Sequence, residues 1–110
     1  MPNPRPQTPR KIFTTALADW QRAWATHARH DRRAASVGYA TRTGQAHLTA
    51  MADLSTRIAD IESQIAQTPA NNCAELRSKI TILSLDGLIR PEFQSSILED
   101  AIRMIAEAEA

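Results

Sequence analysis

Glycine is scarce in this chain: Gly38, Gly44 and Gly87 are the only three in 110 residues, against nineteen alanines. Alanine is the strongest helix former and strands draw on β-branched and aromatic residues, so this balance predicts helix and argues against a β-sandwich. Cysteine is scarcer still. The single Cys73 can form no internal disulfide and can supply no multi-thiolate zinc or iron–sulfur site, which fits a reducing, cytoplasmic compartment. No apolar run approaches the ~20 residues of a membrane span, and the proline-studded start from Met1 to Pro9 has no apolar signal core. A glycine-rich phosphate loop is missing as well. What is present suits a globular chain: 43% apolar and 23% charged residues, enough for a folded core in a length that suits one domain.

Acidic residues are few only in the first half. Up to Ala50 eight basic residues (Arg5, Arg10, Lys11, Arg22, Arg29, Arg32, Arg33 and Arg42) face Asp19 and Asp31; from Met51 onward five basic residues face ten acidic ones. The formal net charge of +1 therefore hides oppositely charged halves. Such a split suits either a basic segment seeking an anionic partner or two halves that attract each other within a fold or an oligomer.

Prolines at positions 2, 4, 6 and 9 fix φ and remove donors. Residues 1–10 are thus expected to be a disordered, basic, proline-rich arm, followed by a single α-helical domain over residues 11–110. The first helix should begin between Pro9 and Thr15 and run to about Ser36, with Phe13, Leu17, Trp20, Trp24 and His27 spaced 4, 3, 4, 3 along one face. Gly38 and Gly44 bracket a short connection. A second helix over about Gln45–Gln67 puts Leu48, Met51, Leu54, Ile58, Ile61 and Ile65 on one stripe, with coiled-coil spacing from Met51. Two heptads are too short for a free-standing coil. The stripe should therefore pack on the first helix as a long hairpin, with further helices or a second chain closing the core.

Thr68-Pro69-Ala70-Asn71-Asn72 stops the second helix, and Asn72 suits an N-cap. A third helix from there to Asp86-Gly87 places Cys73, Leu76, Ile80 and Leu83 on one face and Glu75, Arg77 and Lys79 on the other; β-branched Ile80-Thr81-Ile82 also admits a short strand through Leu85. Leu88 and Ile89 should tuck inward before Pro91 opens a fourth helix carrying Phe93, Ile97, Leu98, Ala101, Met104 and Ile105. The predicted class is all-α: four amphipathic helices as paired helical hairpins, the N-terminal hairpin long.

The stretch from Ile61 to Leu83, with Ile65-Ala66-Gln67-Thr68-Pro69-Ala70 followed by Ala74-Glu75-Leu76-Arg77-Ser78-Lys79-Ile80, resembles a group of small uncharacterised bacterial all-helical proteins, some of them encoded near prophage and mobile-element genes. The resemblance covers about a fifth of the chain. It implies helices joined by a Thr-Pro-Ala turn and implies no activity.

Candidate chemistry is thin. His27, His30 and Asp31 share a helix face, on which two imidazoles and a carboxylate can approach one divalent metal. Adjacent turns offer no fourth ligand, and histidine and arginine equally suit the C-terminal end of a helix, so no metal and no cofactor is assigned. Arg29, Arg32 and Arg33, with Arg5, Arg10 and Lys11, are the kind of set that holds nucleic-acid phosphates, although the acidic second half would repel them. Trp20 and Trp24 are one turn apart and able to stack bases, yet Phe13 and Leu17 on the same stripe favour core or interface packing. The third and fourth helices have the layout of a helix-turn-helix, but Glu92, Glu99 and Asp100 are ill suited to a major groove. Cys73 is expected to be a buried thiol with no histidine nearby in sequence. Asp60 with Glu62, and Glu99 with Asp100, fall on different helix faces or on solvated ones, so no catalytic residue is assigned.

The sequence thus reads as a non-enzymatic helical protein-interaction and oligomerisation module, an accessory or regulatory protein of a phage or mobile element by its resemblance. Its expected partner interface is Trp20, Trp24, Leu54, Ile58, Ile61 and Ile65, meeting either further copies of the chain or a helical protein, with no membrane partner. The alternative is a nucleic-acid-binding accessory, for packaging or regulation, that uses Arg5, Arg10, Lys11, Arg29, Arg32 and Arg33.

Overall fold

A computed structural model describes residues 9–110, with side chains from Lys11 onward. Most of the expected arm, Arg5 included, lies outside the described residues, as does the side chain of Arg10. The described chain is all-α apart from one small β-hairpin. Its elements are α1 (Pro9–Val37), α2 (Arg42–Ala66), α3 (Cys73–Ile82), β1 (Ser84–Leu85), β2 (Leu88–Ile89), a 3-10 turn (Pro91–Phe93) and α4 (Gln94–Glu109). Pro9 and Arg10, expected in the arm, instead open α1. A proline is harmless there because the first N–H groups of a helix have no intrahelical partner.

The chain packs as two compact units whose boundaries fall inside helices: α1 leaves the first unit after Leu17, and α2 re-enters it at Glu62. No helix of the described residues is long and apolar enough to cross a membrane.

The unit Ala18–Ile61 is the long hairpin. Gly38 closes α1 in the left-handed region at φ +93°, where a glycine meets no Cβ penalty. Thr41 then starts α2: its hydroxyl donates to the Gly38 carbonyl at 2.7 Å and accepts from the Gly44 N–H at 2.9 Å, as an N-cap does. Gln45 adds a side-chain bond to the Tyr39 carbonyl at 2.6 Å. Gly44, expected in the connection, is instead in the first turn of α2, and its role is space: an added Cβ would lie 1.9 Å from the Gly38 oxygen. Ala23, Ala34 and Ile58 are buried.

In the other unit the buried apolar residues are Phe13, Ile65, Ala70, Ile82, Leu83 and Ile97. Asn72 caps α3, its Oδ1 accepting from the Glu75 N–H at 2.9 Å, and the Glu75 carboxylate reaches back to accept from the Asn71 N–H at 2.9 Å. This is a close relative of the reciprocal capping box. The expected inner face of α3 is corrected here. Glu75, Lys79 and Ile82 are the buried residues, Leu76 and Ile80 are half-buried, and Cys73 is exposed. Apolar residues are spread around this helix, so ion pairing rather than hydrophobic periodicity decides which side turns inward.

The β-branched run Ile80-Thr81-Ile82 lies wholly in the helix, and only Ser84 and Leu85 beyond it form a strand. α3 stops at Ile82, and Asp86 and Gly87, at φ +52° and +80°, form the two-residue turn with two left-handed positions that tight hairpins prefer. The strands pair Ser84 with Ile89 and Leu85 with Leu88. Successive residues of a strand face opposite sides, so Ser84 and Ile89 turn inward while Leu85 and Leu88 turn out. Leu88, expected to tuck in, is 75% exposed. This hairpin also interrupts the helix-turn-helix layout. Pro91 opens the 3-10 turn that leads into α4.

Candidate functional site

The interface expected on the hairpin is only partly available. Ile58 and Ile65 are core residues, and Trp20, Leu54 and Ile61 are half-buried. Trp24 is the most exposed of the set at 39%, its ring edge-on to His27 with centroids 5.4 Å apart.

Exposed apolar surface is concentrated in the other unit. On α4, Leu98, Ile102 and Ile105 are 58–60% exposed; spaced 4 and 3, they form one stripe along the helix. On the hairpin, Leu85 and Leu88 are exposed as a cross-strand pair. An open cavity of about 650 Å³ lies between hairpin residues Leu85, Leu88 and Ile89 and the start of α4 at Gln94. Gln94 is one helical turn before Leu98, so this groove leads onto the stripe. Two of the three stripe residues were legible as apolar positions of the fourth helix, but their outward placement was not.

Asp100 explains that placement, because it holds an inner position of α4 at 3% exposure. Its Oδ2 pairs with the Lys79 ammonium at 2.6 Å and accepts from the Ala70 N–H at 3.1 Å, while Oδ1 meets Arg103 at 3.1 Å. Lys79 also donates to the Thr68 carbonyl at 2.9 Å, and Arg103 to the Ala70 carbonyl at 2.6 Å. Burial pushes the Asp100 carboxyl upward, but the hydrogen bonds and charge of Lys79, the Ala70 N–H and Arg103 together outweigh it and hold the carboxyl below its usual value. Glu62 is likewise buried, with its Oε1 2.8 Å from Arg90, whose guanidinium also pairs with Glu92 at 2.6 Å and lies over the Phe93 ring at 5.1 Å. Glu62 and Asp100 are therefore structural anchors on packed faces, correcting the solvated reading of these carboxylates. Every fully buried side-chain polar atom among the described residues has a partner.

The histidine-rich stretch is arranged differently from its helical pattern. His30 faces His47 of α2 with Nδ1 atoms 2.9 Å apart, whereas Asp31 accepts from the Tyr39 hydroxyl at 3.2 Å. Partial burial and the positive charge of His47, Arg29, Arg33 and His27 lower the His30 pKa. The Asp31 carboxylate raises that of Tyr39. Among the described residues no group of three or more His, Cys, Asp or Glu side chains gathers at one point.

Arg29, Arg32 and Arg33 are exposed on the side of α1 away from buried Ala23 and Ala34, without an acidic partner among the described residues. Lys11 is exposed too, eighteen or more residues earlier on the same helix. No family model matches the chain, and no curated protein or solved structure matches it either.

Proposed function

We propose that this chain is a non-enzymatic helical self-association module, and that the stripe Leu98, Ile102 and Ile105 of α4, extended by the hairpin leucines, is its contact surface, with a second copy of the chain as partner. The single observation that carries the reading is that stripe: three large aliphatic side chains at helical spacing, each more than half exposed. A two-fold pairing needs a self-complementary patch. An apolar stripe laid antiparallel on its own copy around Ile102 meets that condition, and Ala101, Ala106 and Ala108 beside it let the helices approach. Covering such a half-exposed side chain contributes about 1–2 kcal/mol. The six of a symmetric pair thus contribute about 6–12 kcal/mol against an association cost of about 4–15 kcal/mol. The hairpin leucines tip this balance toward a weak, reversible dimer. The resemblance of Ile61–Leu83 supports placing such a module among accessory or regulatory proteins of a phage or mobile element.

Light-scattering mass on a sizing column tests this. The expected result is a mass that rises from 12.2 kDa toward twice that value over about 1–100 µM, and Ile102→Asp holding it at the monomer with unchanged helicity. A wild-type monomer throughout that range overturns the reading.

A second reading is favoured by one observation, the exposed Arg29, Arg32 and Arg33 on the solvent side of α1, which have no acidic partner among the described residues. It is a nucleic-acid accessory in which these arginines, with Lys11, Arg5 and Arg10, hold phosphates. In the same column run, a short-duplex complex that dissolves at high salt and weakens on replacing the three arginines by glutamine supports it.

A further inference from the structure

His30 on α1 and His47 on α2 belong to the same compact unit and bring their Nδ1 atoms to 2.9 Å, with ring centroids 5.1 Å apart and planes tilted by 45°. As found, this is one imidazole–imidazole hydrogen bond, in which the Nδ1–H of one ring donates to the lone pair of the other. If the donor ring carries its proton on Nε2 instead, both Nδ1 lone pairs become available at the gap. We propose that His30 and His47 form a two-imidazole binding site for a divalent transition-metal ion of the Cu(II) or Ni(II) class, with water completing the coordination.

The ligand set decides the class, since imidazole nitrogens bind Cu(II) more tightly than Ni(II) or Zn(II). Metal–imidazole bonds are about 2.0–2.1 Å, so two such nitrogens stand about 2.9 Å apart when they subtend a right angle at the metal and about 3.3 Å apart at a tetrahedral angle. The 2.9 Å between the Nδ1 atoms and the 5.1 Å between the ring centroids are those of a nearly in-line hydrogen bond, so both rings turn slightly for their lone pairs to converge on one ion. The two rings are held by a short connection, since Gly38, Thr41, Gly44 and Gln45 lock the turn between α1 and α2. Both rings are half-buried, which leaves water access to the remaining positions. Asp31 is committed to Tyr39 and His27 lies against Trp24, so neither is needed as a ligand. The lowered pKa of His30 favours the neutral ring that a metal requires. Arg29 and Arg33 also repel a dication, and with only two protein ligands the site is a micromolar one.

Titration of the full chain with copper(II), nickel(II) and zinc(II) salts at neutral pH, followed by tryptophan emission, tests the proposal, because Trp24 is two turns of α1 from His30. Saturable quenching at one equivalent is expected for copper and nickel, with zinc competing weakly. His30→Gln and His47→Gln should each weaken binding by at least about tenfold while His27→Gln leaves it unchanged. Circular dichroism confirms that each variant retains its helices. Electron paramagnetic resonance of the wild-type copper complex needs no variant: coupling to two imidazole nitrogens is expected. Coupling to one or none overturns the proposal, as does quenching that never saturates or that survives in a folded His30→Gln/His47→Gln double variant.

Discussion

Lys79→Met is the sharpest test of how the α3–α4 unit is held. The ammonium of Lys79 is 1% exposed and 2.6 Å from Asp100. At an effective dielectric constant of about 20 the attraction at that distance is about 6 kcal/mol, and the desolvation of each buried ion costs several kcal/mol. The intact pair therefore contributes little net stability, but breaking it leaves one buried charge uncompensated, at about 3–5 kcal/mol. Asp100 keeps the Ala70 N–H and Arg103, so Lys79→Met belongs at the lower end, about 3 kcal/mol. Asp100→Leu belongs at the upper end, because it strands the ammonium and removes the acceptor of the Ala70 N–H as well.

The double variant Lys79→Met/Asp100→Leu removes both charges and leaves the Thr68 carbonyl and the Ala70 N–H without these partners, at about 1–3 kcal/mol each, while the part-exposed Arg103 loses its carboxylate and keeps the Ala70 carbonyl. It should be less destabilised than the sum of the single variants by at least about 2 kcal/mol. The assay is urea unfolding followed by far-ultraviolet circular dichroism. Both tryptophans lie in Ala18–Ile61 and so report on the other unit. A Lys79→Met cost below about 1 kcal/mol refutes the reasoning, since it means the Asp100 carboxylate left behind is not an uncompensated buried charge.

Gly44→Ala gives an effect of unusual sign. Helix propensity alone would stabilise by about 1 kcal/mol, but the new Cβ would meet the Gly38 carbonyl, so a net loss of about 1–3 kcal/mol is expected in thermal unfolding. Gly87→Ala meets no neighbour and carries only the strain of φ +80°, about 1–2 kcal/mol. Asn72→Ala removes the α3 cap and should cost about 1 kcal/mol by the same measurement. For pH, the Asp100 carboxyl is lowered from 3.8 in the folded chain, so folding favours its ionised form. Its contribution is present above the unfolded value and is lost as pH falls through 3.8 toward the lower folded value. A pH series of urea midpoints should fall below about pH 5, and Asp100→Asn should flatten that fall. His30 acts one window higher: its pKa is lowered from 6.5, folding disfavours its protonated form, and stability drops as pH goes below 6.5 unless His30 is replaced by Gln.

Helix starts were readable because local chemistry dictates them. Asn72 caps α3, Pro91 opens the turn into α4 and Gly38 ends α1, each by an interaction spanning only a few residues. The Asp86-Gly87 hairpin carried an equally local signal, an Asp-Gly pair between Leu85 and Leu88, which a helical reading of Ile80–Leu83 obscured. The inner face of α3 was not readable. Two of its three buried members are Glu75 and Lys79, and what keeps Lys79 inside is Asp100, 21 residues away in sequence. The His30–His47 pair is of the same kind: His47 carried no signal in its own helix, and only the hairpin brings it to His30.

The same long-range pair accounts for where the apolar surplus lies. Ile97, Ala101 and Met104 share an arc of α4 with Asp100. An inner position given to a carboxylate, with Lys79 and Arg103 around it, is one less for an aliphatic side chain. The apolar residues of this helix therefore extend beyond the arc that α3 can cover, and Leu98, Ile102 and Ile105 stand on the uncovered side. On α2 the opposite holds: its seam is uninterrupted by charge between Leu54 and Ile61, and Ile58 is covered within the chain. A heptad stripe is thus a poor guide to an interface when the chain itself can use it. An apolar stripe displaced by a buried ion pair is a better one, because no described residue of the unit covers it. Replacing both Lys79 and Asp100 by apolar residues removes the reason for the displacement. If α4 then rotates to bury Ile102, the proposed self-association should weaken in the light-scattering assay even though no residue of the stripe has changed.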